Sequence, residues 1–365
     1  MRNYYRKLFL TLTKNNYKGS NLEWSKLLTD SRLQDNIKNK TNFIDGRSEF
    51  QKDFDRIVFS PAFRRLQDKT QVFPLPESDF VHTRLTHSLE VSCVGRSLGN
   101  LVGDTVIQRN PSLKNKFTKF HFGEIVAAAC LAHDIGNPPF GHSGEDAIAE
   151  YFRSGNGQKF KSKIKDEKKW TDLIHYEGNA QGFRIITKLQ NPKVRGGLRL
   201  TFSTLAAVTK YPRESSINVK SRSLLNKAYR KYGFFQAEKD LFKEVAEETG
   251  LNYQKNLKTY WWCRHPLAFL VEAADDICYR VMDLEDGFRL GFVSFRDTED
   301  LLMPLVNRKS LKGYKEIDEK DRIGYLRAIA ISELVSELAK VFLDEEKNIL
   351  KGKFENDLIS EIKRA

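Results

Sequence analysis

Apolar residues recur along much of the chain at the three-to-five-residue spacing of a buried helix face. The stretch RLTHSLEVSCVGRSLGNLV shows this pattern most clearly. Its candidate core positions are Leu85, Leu89, Val94, Leu98 and Leu101. The spacing predicts a long helix in which these five side chains line one buried stripe.

Two further stretches are apolar almost throughout, which predicts helices inside the core. The first, FGEIVAAACLAHDIG from Phe122 to Gly136, is rich in alanine and ends at a glycine. The second, PLAFLVEAADDICYRVMDLEDG from Pro266 to Gly287, has a proline at its start and a glycine at its end. We expect these two helices and the one before them to be central.

The rest of the pattern favours an all-α protein. No βαβ series is visible, and β-leaning runs such as TQVFPL are short. No internal repeat is visible either. From about Phe295 onward the sequence is typical of charged, amphipathic helix, which we expect to lie outside the core.

Composition narrows the class of protein. Hydrophobic residues make up 40% of the 365 residues and charged residues 30%, as in a globular protein. No apolar run approaches the roughly 20 residues that a membrane helix requires, and the N-terminus MRNYYRKLFLTLTK is too polar for a secretory signal. The cysteines at positions 93, 130, 263 and 278 lie in apolar segments without a CxxC pair, which predicts reduced core residues of a cytoplasmic protein.

The chain carries an excess of positive charge. Lysine and arginine number 61 against 48 acidic residues, so the net charge is +13. Such an excess attracts polyanions, whether nucleic acid, nucleotide or phosphate, without choosing among them. The densest basic stretch, RSGNGQKFKSKIKDEKKW at 153–170, is predicted to be a solvated loop because of its low hydrophobicity and its GNG turn.

The loop HDIGNPPFGHSGE is the first candidate for chemistry. Its prolines and glycines interrupt helix and strand, yet it carries two histidines, an aspartate and a glutamate. His133 and Asp134 end one predicted buried helix, and His87 and Asp275 lie in the other two. Buried charges must be paired or bound to metal, and imidazoles with carboxylates suit a divalent transition metal. A single histidine is more often a satisfied core or surface residue, but the adjacent His-Asp pair favours a metal site.

These residues resemble the pattern of a known superfamily. His87 in RLTHSLEV, the doublet in ACLAHDIGNPPFGH and Asp275 in EAADDICY are similar to the H…HD…D pattern of the HD-domain metal-dependent phosphohydrolases. The surrounding motifs resemble, more narrowly, those of bacterial deoxyguanosine triphosphate triphosphohydrolases. They are DRIVFSPAFRRLQDKTQVFPL, THSLEV, HDIGNPPFGHSGE, HYEGNAQGFRI, RLTFSTLAAVTKYPR, KYGFFQAEK and EAADDICYRVMDLEDG, and they extend from about Asp45 to Gly291.

The resemblance implies a domain organisation. We expect an HD-domain helical core with additional peripheral helices. Its segments would be an N-terminal helical segment at 1–44, the core at 45–294 and a C-terminal helical region at 295–365. The chain ends earlier than family members usually do, which predicts a shortened C-terminal region. The family also implies a homo-oligomer, commonly a hexamer, and single-stranded nucleic acid as an effector for some members.

The implied activity is metal-dependent hydrolysis of dGTP, with other dNTPs left open. Water would attack the α-phosphate, and the products would be the deoxynucleoside and tripolyphosphate. By resemblance, His87, His133, Asp134 and Asp275 hold one divalent ion, for which Mn²⁺ is favoured while Mg²⁺, Co²⁺ and Fe²⁺ stay open. Asp276 must point about 100° away from Asp275 on a helix, so only one of the two is expected to be a ligand.

The resemblance assigns catalysis to His142 and Glu145. Three residues apart at the start of the predicted helix SGEDAIAEYF, they can share a face, so the carboxylate can orient the imidazole and raise its pKa. Alternatively, Glu145 simply caps that helix. The leaving deoxynucleoside needs a proton, which favours His142 as general acid, while a role as base toward water stays open.

Substrate contacts on two helices are expected from spacing and resemblance. Arg84 lies one helical turn before His87, so its guanidinium can reach the phosphate that the metal touches. Tyr279 and Asp283 share the helix face of Asp275. By resemblance they contact the deoxyribose, and the Asp283 carboxylate accepts a hydrogen bond from the 3′-hydroxyl.

Three further substrate contacts are implied by resemblance alone. Gln67 in RRLQDKTQ resembles the family's sugar-contacting glutamine. Lys210 in TKYPR and Lys231 in KYGFFQ resemble its polyphosphate-side lysines. Surface lysine is the ordinary alternative for both.

Other functions stay open at this point. A different HD phosphohydrolase, acting on alarmones or cyclic dinucleotides, would share the four metal ligands but not AFRRLQDKTQVFP or HYEGNAQGF. A nucleic-acid-binding regulator of the same fold is suggested by the net charge, whereas the intact ligand and acid-base residues favour catalysis. No membrane partner is expected.

Overall fold

The protein is all-α, as predicted. The computed structural model describes residues 21–33, 46–73, 81–215, 231–254, 259–307, 311, 313–354 and 356–362. Across these ranges no β-strand forms, and the extended pairings are isolated bridges such as Thr70 with Thr83. The α-helices are α1 (Trp24–Leu27), α2 (Glu49–Val58), α3 (Pro61–Arg64), α4 (Arg84–Arg109), α5 (Lys119–Ala132), α6 (Gly141–Arg153), α7 (Glu167–Ile174), α8 (Gly178–Arg184), α9 (Phe202–Val208), α10 (Lys239–Glu248), α11 (Pro266–Arg289), α12 (Phe295–Leu302) and α13 (Glu319–Leu350).

Helices α4 and α5 make the most extensive helix contact among the described elements. They approach closely because glycines face each other, and a methyl group added at Gly99 would lie 2.7 Å from the Cα atom of Gly123. Gly103 likewise leaves room for the ring of Phe122. Helix α5 is buried along most of its length because α2, α9 and α11 cover its other sides. The three helices predicted to be central are therefore in the core.

The buried face of α4 differs from the predicted stripe. Val94 and Leu98 are buried, but Leu89 and Leu101 are 39% and 47% exposed, and Leu85 is only partly buried. Small residues make up much of the buried face, which contains His87, Ser88, Val91, Ser92, Val94, Gly95, Leu98, Gly99, Val102, Gly103 and Val106. The close approach of α5 requires small side chains on this face, so two of the predicted leucines lie on the outer side.

Helix α13 belongs to the core, so the prediction that the stretch from Phe295 lies outside the core is wrong. Its buried residues recur every three to five positions and include Ile323, Leu326, Ala330, Leu334, Leu338 and Phe342. This face packs on α4 and α11 within one hydrophobic cluster. An amphipathic helix can cover a core with one face while its charges remain in water, which explains the charged composition of this segment.

The predicted N-terminal helical segment is described only in part. Residues 21–33 contain the short helix α1, and the remaining positions, 1–20 and 34–44, lie outside the described residues. Buried Arg32 anchors this part through an ion pair with Asp53 of α2, at 2.5 Å. His265 adds a second anchor, because its Nε2 donates to the carbonyl oxygen of Leu27 at 3.1 Å.

Two predictions about the surface need correction. The basic stretch at 153–170 is largely exposed, as expected, but it contains a 3-10 helix at Asn156–Lys163 and the start of α7 rather than a loop. Cys130, Cys263 and Cys278 are buried free thiols, whereas Cys93 is a free thiol on the exposed side of α4 and not a core residue. None of the described helices combines the length and the hydropathy needed to cross a bilayer.

The turn between α5 and α6 is held against α8. Gly136 packs directly on the first turn of α8, where an added methyl group would overlap the carbonyl oxygen of Gly178 and the backbone nitrogen of Gly182. The turn ends at Phe140, whose φ of 63° is left-handed and strained for a residue with a side chain. The contact at Gly136 therefore sets how closely α8 approaches the candidate site residues in the turn between α5 and α6.

We expect Gly136→Ala to lower the free energy of unfolding by about 1–3 kcal/mol, the usual effect of overpacking. Backbone atoms of α8 stand in the way, so relief requires movement of the turn. The matched control is Gly324→Ala in α13, where an added methyl group meets nothing within 4 Å and should stabilise the helix by about 0.5–1 kcal/mol. Denaturant unfolding followed by circular dichroism compares the variants, and equal stabilities would show that the Gly136 contact is loose.

Candidate metal centre and active site

Three core helices bring the four predicted metal ligands together. Helix α4 carries His87, the end of α5 carries His133 and Asp134, and α11 carries Asp275. Potential ligand atoms of His87, His133 and Asp134 all lie within 4.8 Å of one another. Asp275 Oδ1 lies 3.1 Å from His87 Nε2 and 3.6 Å from His133 Nε2. Residues that are far apart in sequence thus converge in one cluster, in which His87 and Asp134 are buried and the other two are partly buried.

Neighbouring groups orient this cluster and keep it charged. His133 Nδ1 donates to the carbonyl oxygen of Cys130 at 2.6 Å, which leaves its Nε2 facing the carboxylates. Burial alone would raise the pKa of Asp134, but His133 and Arg84 outweigh it and lower that pKa. Burial is likewise outweighed at Asp275, where His133 and His87 hold the pKa well below its usual range. Two imidazoles and two ionised carboxylates form a donor set that fits a divalent transition metal.

Asp276 differs from its neighbour Asp275 in its surroundings. Burial raises the pKa of Asp276 to about 7, against the opposing charge of Lys210. Asp275 Oδ1, in contrast, lies 3.1 Å from His87 Nε2 and 3.6 Å from His133 Nε2. These contacts favour Asp275 as the ligand.

Arg84 occupies the junction between the metal cluster and α6. Its Nη1 lies 2.5 Å from Asp134 Oδ2, and both side chains are about nine-tenths buried. Its Nη2 lies beside the first residue of α6, where a methyl group added at Gly141 would come within 2.8 Å. Its Nε is buried and has no hydrogen-bond partner among the described residues. The guanidinium therefore neutralises a candidate ligand while facing the start of α6.

The contact expected between His142 and Glu145 does not form. Glu145 Oε1 accepts a hydrogen bond from the backbone nitrogen of Gly178 at 2.6 Å, at the start of α8. The Nε2 of exposed His142 lies 3.0 Å from Lys231 Nζ. The positive charge of Lys231, followed by burial, lowers the pKa of His142, which is the opposite of the expected direction. The expectation was wrong because the glycines of α8 bring a backbone donor within reach of the carboxylate.

Sequence reasoning missed Glu177, a buried carboxylate beside these residues. Its side chain caps α8 by accepting from the backbone nitrogen of Asn179. Burial raises the pKa of Glu177, while the positive charge of Lys231 lowers it. The nearby charge of Glu145 adds to the increase. The available signal was the motif HYEGN, in which a carboxylate stands immediately before the glycine that opens a helix.

Asn137 and Lys69 were also missed. The Asn137 amide donates to Asp134 Oδ1 at 2.5 Å, and its carbonyl oxygen accepts from Lys69 Nζ at 2.6 Å. Burial lowers the pKa of Lys69, and the charge of Arg84 lowers it further. The asparagine in HDIGN is therefore a support for the metal-side carboxylate, which spacing alone did not indicate.

The remaining predicted substrate residues differ in exposure and in partners. Tyr279 of α11 is 57% exposed, and Asp283 is partly buried, with its pKa raised to about 6 by burial. Lys210 Nζ lies 3.0 Å from Glu272 Oε1; burial opposes the charged form, but Glu272 outweighs it and raises the pKa of Lys210. Gln67 is exposed on a 3-10 helix, Arg65–Asp68, and has no hydrogen bond to the other described site residues.

Comparisons with known proteins point to one family. The HD domain model matches residues 84–220. A deoxyguanosinetriphosphate triphosphohydrolase-like protein of Synechocystis sp. is 52% identical over 93% of this chain and 76% of its own length. A like-named protein of Pseudomonas aeruginosa is 42% identical over 93% of this chain and 74% of its own. The deoxyguanosinetriphosphate triphosphohydrolase of Yersinia pseudotuberculosis is 31% identical over 87% and 68%.

We expect His133→Ala and Asp134→Ala each to lose bound divalent metal, because each removes a ligand from a buried site. Asp276→Asn is the matched control, since it changes an acidic residue that is adjacent to Asp275 in sequence and is not an expected ligand. Elemental analysis of purified, metal-loaded protein gives the metal content per chain. Full metal content in either alanine variant, or loss of metal in Asp276→Asn, would show that the ligand assignment is wrong.

Proposed function

Because the chain belongs to the deoxyguanosinetriphosphate triphosphohydrolase family of HD-domain proteins, we propose that it hydrolyses dGTP to deoxyguanosine and tripolyphosphate. Other dNTPs are part of the same proposal, since base selectivity depends on several segments. The observation that carries it is the convergence of two imidazoles and two ionised carboxylates beside a histidine and a lysine. A metal site next to a proton carrier and a cation is what cleavage at an α-phosphate needs.

One divalent metal ion is the proposed cofactor, held by His87, His133, Asp134 and Asp275. Their histidine content favours Mn²⁺, Co²⁺ or Fe²⁺ over Mg²⁺, and we take Mn²⁺ as the first candidate. When bound, the ion would polarise the α-phosphate and make water a better nucleophile at neutral pH.

The proposed chemistry assigns the proton steps to α6. Water attacks the α-phosphorus, the bond from phosphorus to the 5′-oxygen breaks, and His142 donates a proton to that oxygen. Arg84, buried beside Asp134 and facing the start of α6, supplies positive charge next to the reacting phosphate. Glu145 is proposed to act on His142 through α8 rather than by direct contact, because its carboxylate is bonded to Gly178. The role of His142 as base toward water remains the alternative.

The substrate is proposed to lie along α11. Residues four apart on a helix rise about 6 Å, so a nucleotide with its α-phosphate near Asp275 extends its sugar toward Tyr279 and Asp283. The pKa of about 6 leaves Asp283 ionised at pH 7, and it can then accept a hydrogen bond from the 3′-hydroxyl. The exposed ring of Tyr279 forms the wall beside C2′, and Gln67 is the second proposed sugar contact.

Lys210 and Lys231 are proposed to bind the polyphosphate. Both ammonium groups already lie beside acceptors, the carboxylate of Glu272 and the imidazole of His142. The electrostatic influence of Lys210 on Asp275 supports its position on the metal side of the site. Anionic phosphate oxygens are stronger acceptors for an ammonium group than a neutral imidazole is.

The remaining parts of the proposal concern organisation. The domain limits at 44 and 294 and a homo-hexamer rest on family resemblance. A single-stranded nucleic acid effector is supported by the exposed basic stretch 153–170, where Lys159 Nζ lies 5.4 Å from the centroid of the Phe160 ring. The four free thiols support a cytoplasmic location. Alarmone or cyclic-dinucleotide hydrolysis ranks lower because relatives are named for dGTP.

We expect metal-loaded protein to release tripolyphosphate from dGTP, identified by phosphorus NMR after incubation with each dNTP and rNTP. His142→Ala should retain metal and lower kcat by roughly 10²-fold or more, because a positioned acid or base is lost. His121→Ala is the matched control, since His121 lies at the opposite end of α5 from His133. An unchanged kcat in His142→Ala would remove this residue from catalysis. Salt-dependent binding of single-stranded DNA without hydrolysis of any nucleotide would instead favour the alternative function, a nucleic-acid-binding regulator of the same fold.

We expect Asp283→Ala to lower kcat/KM for dGTP by roughly 10- to 100-fold, because a charge-assisted bond contributes about 1.5–3 kcal/mol. Dideoxy-GTP should lose much less, since it lacks the 3′-hydroxyl. Tyr279→Ala should instead narrow the preference for dGTP over GTP by opening space at C2′. Measuring kcat/KM for all three nucleotides on each variant separates the effects. Equal losses of kcat/KM for dGTP and dideoxy-GTP in Asp283→Ala would show that Asp283 does not contact the 3′-hydroxyl.

A further inference from the structure

The contact between Lys231 and His142 determines where the imidazole proton is. Lys231 Nζ lies 3.0 Å from His142 Nε2. An ammonium group has three donors and no acceptor, so Nε2 must accept with its lone pair. His142 is therefore neutral in this state, and its proton is on Nδ1. An imidazole in this state has no proton at Nε2 to give to a leaving group.

The charges around His142 have opposing effects on its pKa, and the charge of Lys231 has the largest effect. Lys231 and Arg84 favour the neutral imidazole, and partial burial acts in the same direction. Glu177 at the start of α8 and Asp146 on α6 favour the protonated form. Glu145 is held by the backbone of α8 and has no hydrogen bond to the imidazole. Removal of the Lys231 charge would therefore take away the largest of the effects that lower the pKa of His142.

A bound polyphosphate is the group that would remove this charge from His142. The ammonium group of Lys231 lies at the end of a flexible side chain with four rotatable bonds, and this side chain is partly exposed. Its ammonium donates here to a neutral nitrogen, whereas phosphate oxygens carry full negative charge and bind ammonium more strongly. Lys210 differs, because its partner Glu272 is already an anion. Lys231 is thus the proposed polyphosphate-side lysine whose present partner is easier to replace.

We propose that Lys231 is a polyphosphate-sensitive lock on His142: it holds Nε2 unprotonated in the empty site and moves to the polyphosphate when a nucleotide binds, so that Nε2 takes up the proton it later donates. The inference rests on the proposed function. The hydrogen bond from Nζ to Nε2 breaks, bonds from Nζ to phosphate oxygens form, and Nε2 receives a proton from solvent. In the reaction that proton passes to the 5′-oxygen, the attacking water releases one proton to solvent, and Lys231 can return to neutral His142.

The lock explains why the acid is absent before substrate arrives. While Lys231 donates to Nε2, the imidazole has no proton at that atom to give to the 5′-oxygen. Once the polyphosphate is bound, its negative charge both holds the lysine and favours the imidazolium. Binding of the substrate's polyphosphate and protonation of the acid that serves the leaving 5′-oxygen are then one event.

The test measures the pKa of His142 without turnover. Hydrogen–deuterium exchange at the imidazole Cε1 atom, followed by mass spectrometry of peptides across a pH series, gives the pKa of each histidine in the Mn²⁺-loaded full chain. Inorganic tripolyphosphate is the probe, and calorimetry establishes the concentration that saturates the site. In the wild type we expect tripolyphosphate to raise the pKa of His142 by roughly one pH unit or more, the scale of losing a nearby like charge. His121 and His265 are internal references that should not change.

The decisive variant is Lys231→Met. In the tripolyphosphate-free protein its His142 should already have a higher pKa than in the wild type, and the further increase with tripolyphosphate should shrink. Lys210→Met is the matched control, because it removes a polyphosphate-side cation that does not touch His142. It should leave the pKa of His142 in the tripolyphosphate-free protein unchanged while weakening tripolyphosphate binding. Lys231→Arg, which keeps charge and donors, should behave more like the wild type than Lys231→Met.

Two results would overturn the lock. One is an unchanged pKa of His142 in wild-type protein at saturating tripolyphosphate or at the highest concentration reached. The other is the same pKa of His142 in Lys231→Met and wild type without tripolyphosphate. Neither measurement depends on turnover, so a protein that shows both changes but hydrolyses no dNTP would count against the proposed function alone. A protein that hydrolyses dGTP without these changes would count against the lock alone.

Discussion

The placement of two ionised aspartates, Asp134 buried and Asp275 partly buried, in an apolar helical core is the constraint on which the rest of this structure depends. A buried carboxylate without partners would be unfavourable by several kcal/mol. Asp134 is satisfied by Arg84 and Asn137, and Asp275 by the two imidazoles of the cluster. The partners come from α4, the end of α5 and the turn that follows it, and α11 carries Asp275, so these segments must meet at one point. The facing glycines of α4 and α5 allow this meeting, because they bring the two backbones close together.

A second polar layer, formed by α6, α8 and the segment beginning at Lys231, differs in kind from the metal cluster. Its carboxylates are tied to the first turn of α8, where Glu145 and Glu177 accept from backbone nitrogens. Its imidazole, in contrast, is exposed and held by a lysine that has a stronger potential partner. The candidate metal cluster therefore keeps fixed charges, whereas the lock we propose would let the second layer change its proton content. In that proposal, the charge of a bound polyphosphate couples the two layers.

Much of the fold and of the candidate site could be predicted from the sequence. The nearly continuous apolar sequence of α5 and of α11 identified both as core helices. The residue types of His87, His133, Asp134 and Asp275 indicated a metal site, since imidazole and carboxylate in apolar helices have few other stable arrangements. Spacing was less informative for α4, where small residues and not the largest ones face the core. It was misleading for α13, whose charges concealed a complete buried face.

What the sequence by itself determined was local: the helical period, the buried character of the central helices, and the chemistry of the candidate ligands. Only the tertiary structure decided which polar groups became partners. Glu145 is bonded to Gly178 and not to His142, and His142 contacts Lys231, a residue 89 positions away. The physical reason is that a side chain binds the strongest acceptor or donor within its reach, and reach depends on how closely helices approach. The contact of Gly136 with α8 sets that approach, and no spacing within a single helix encodes it.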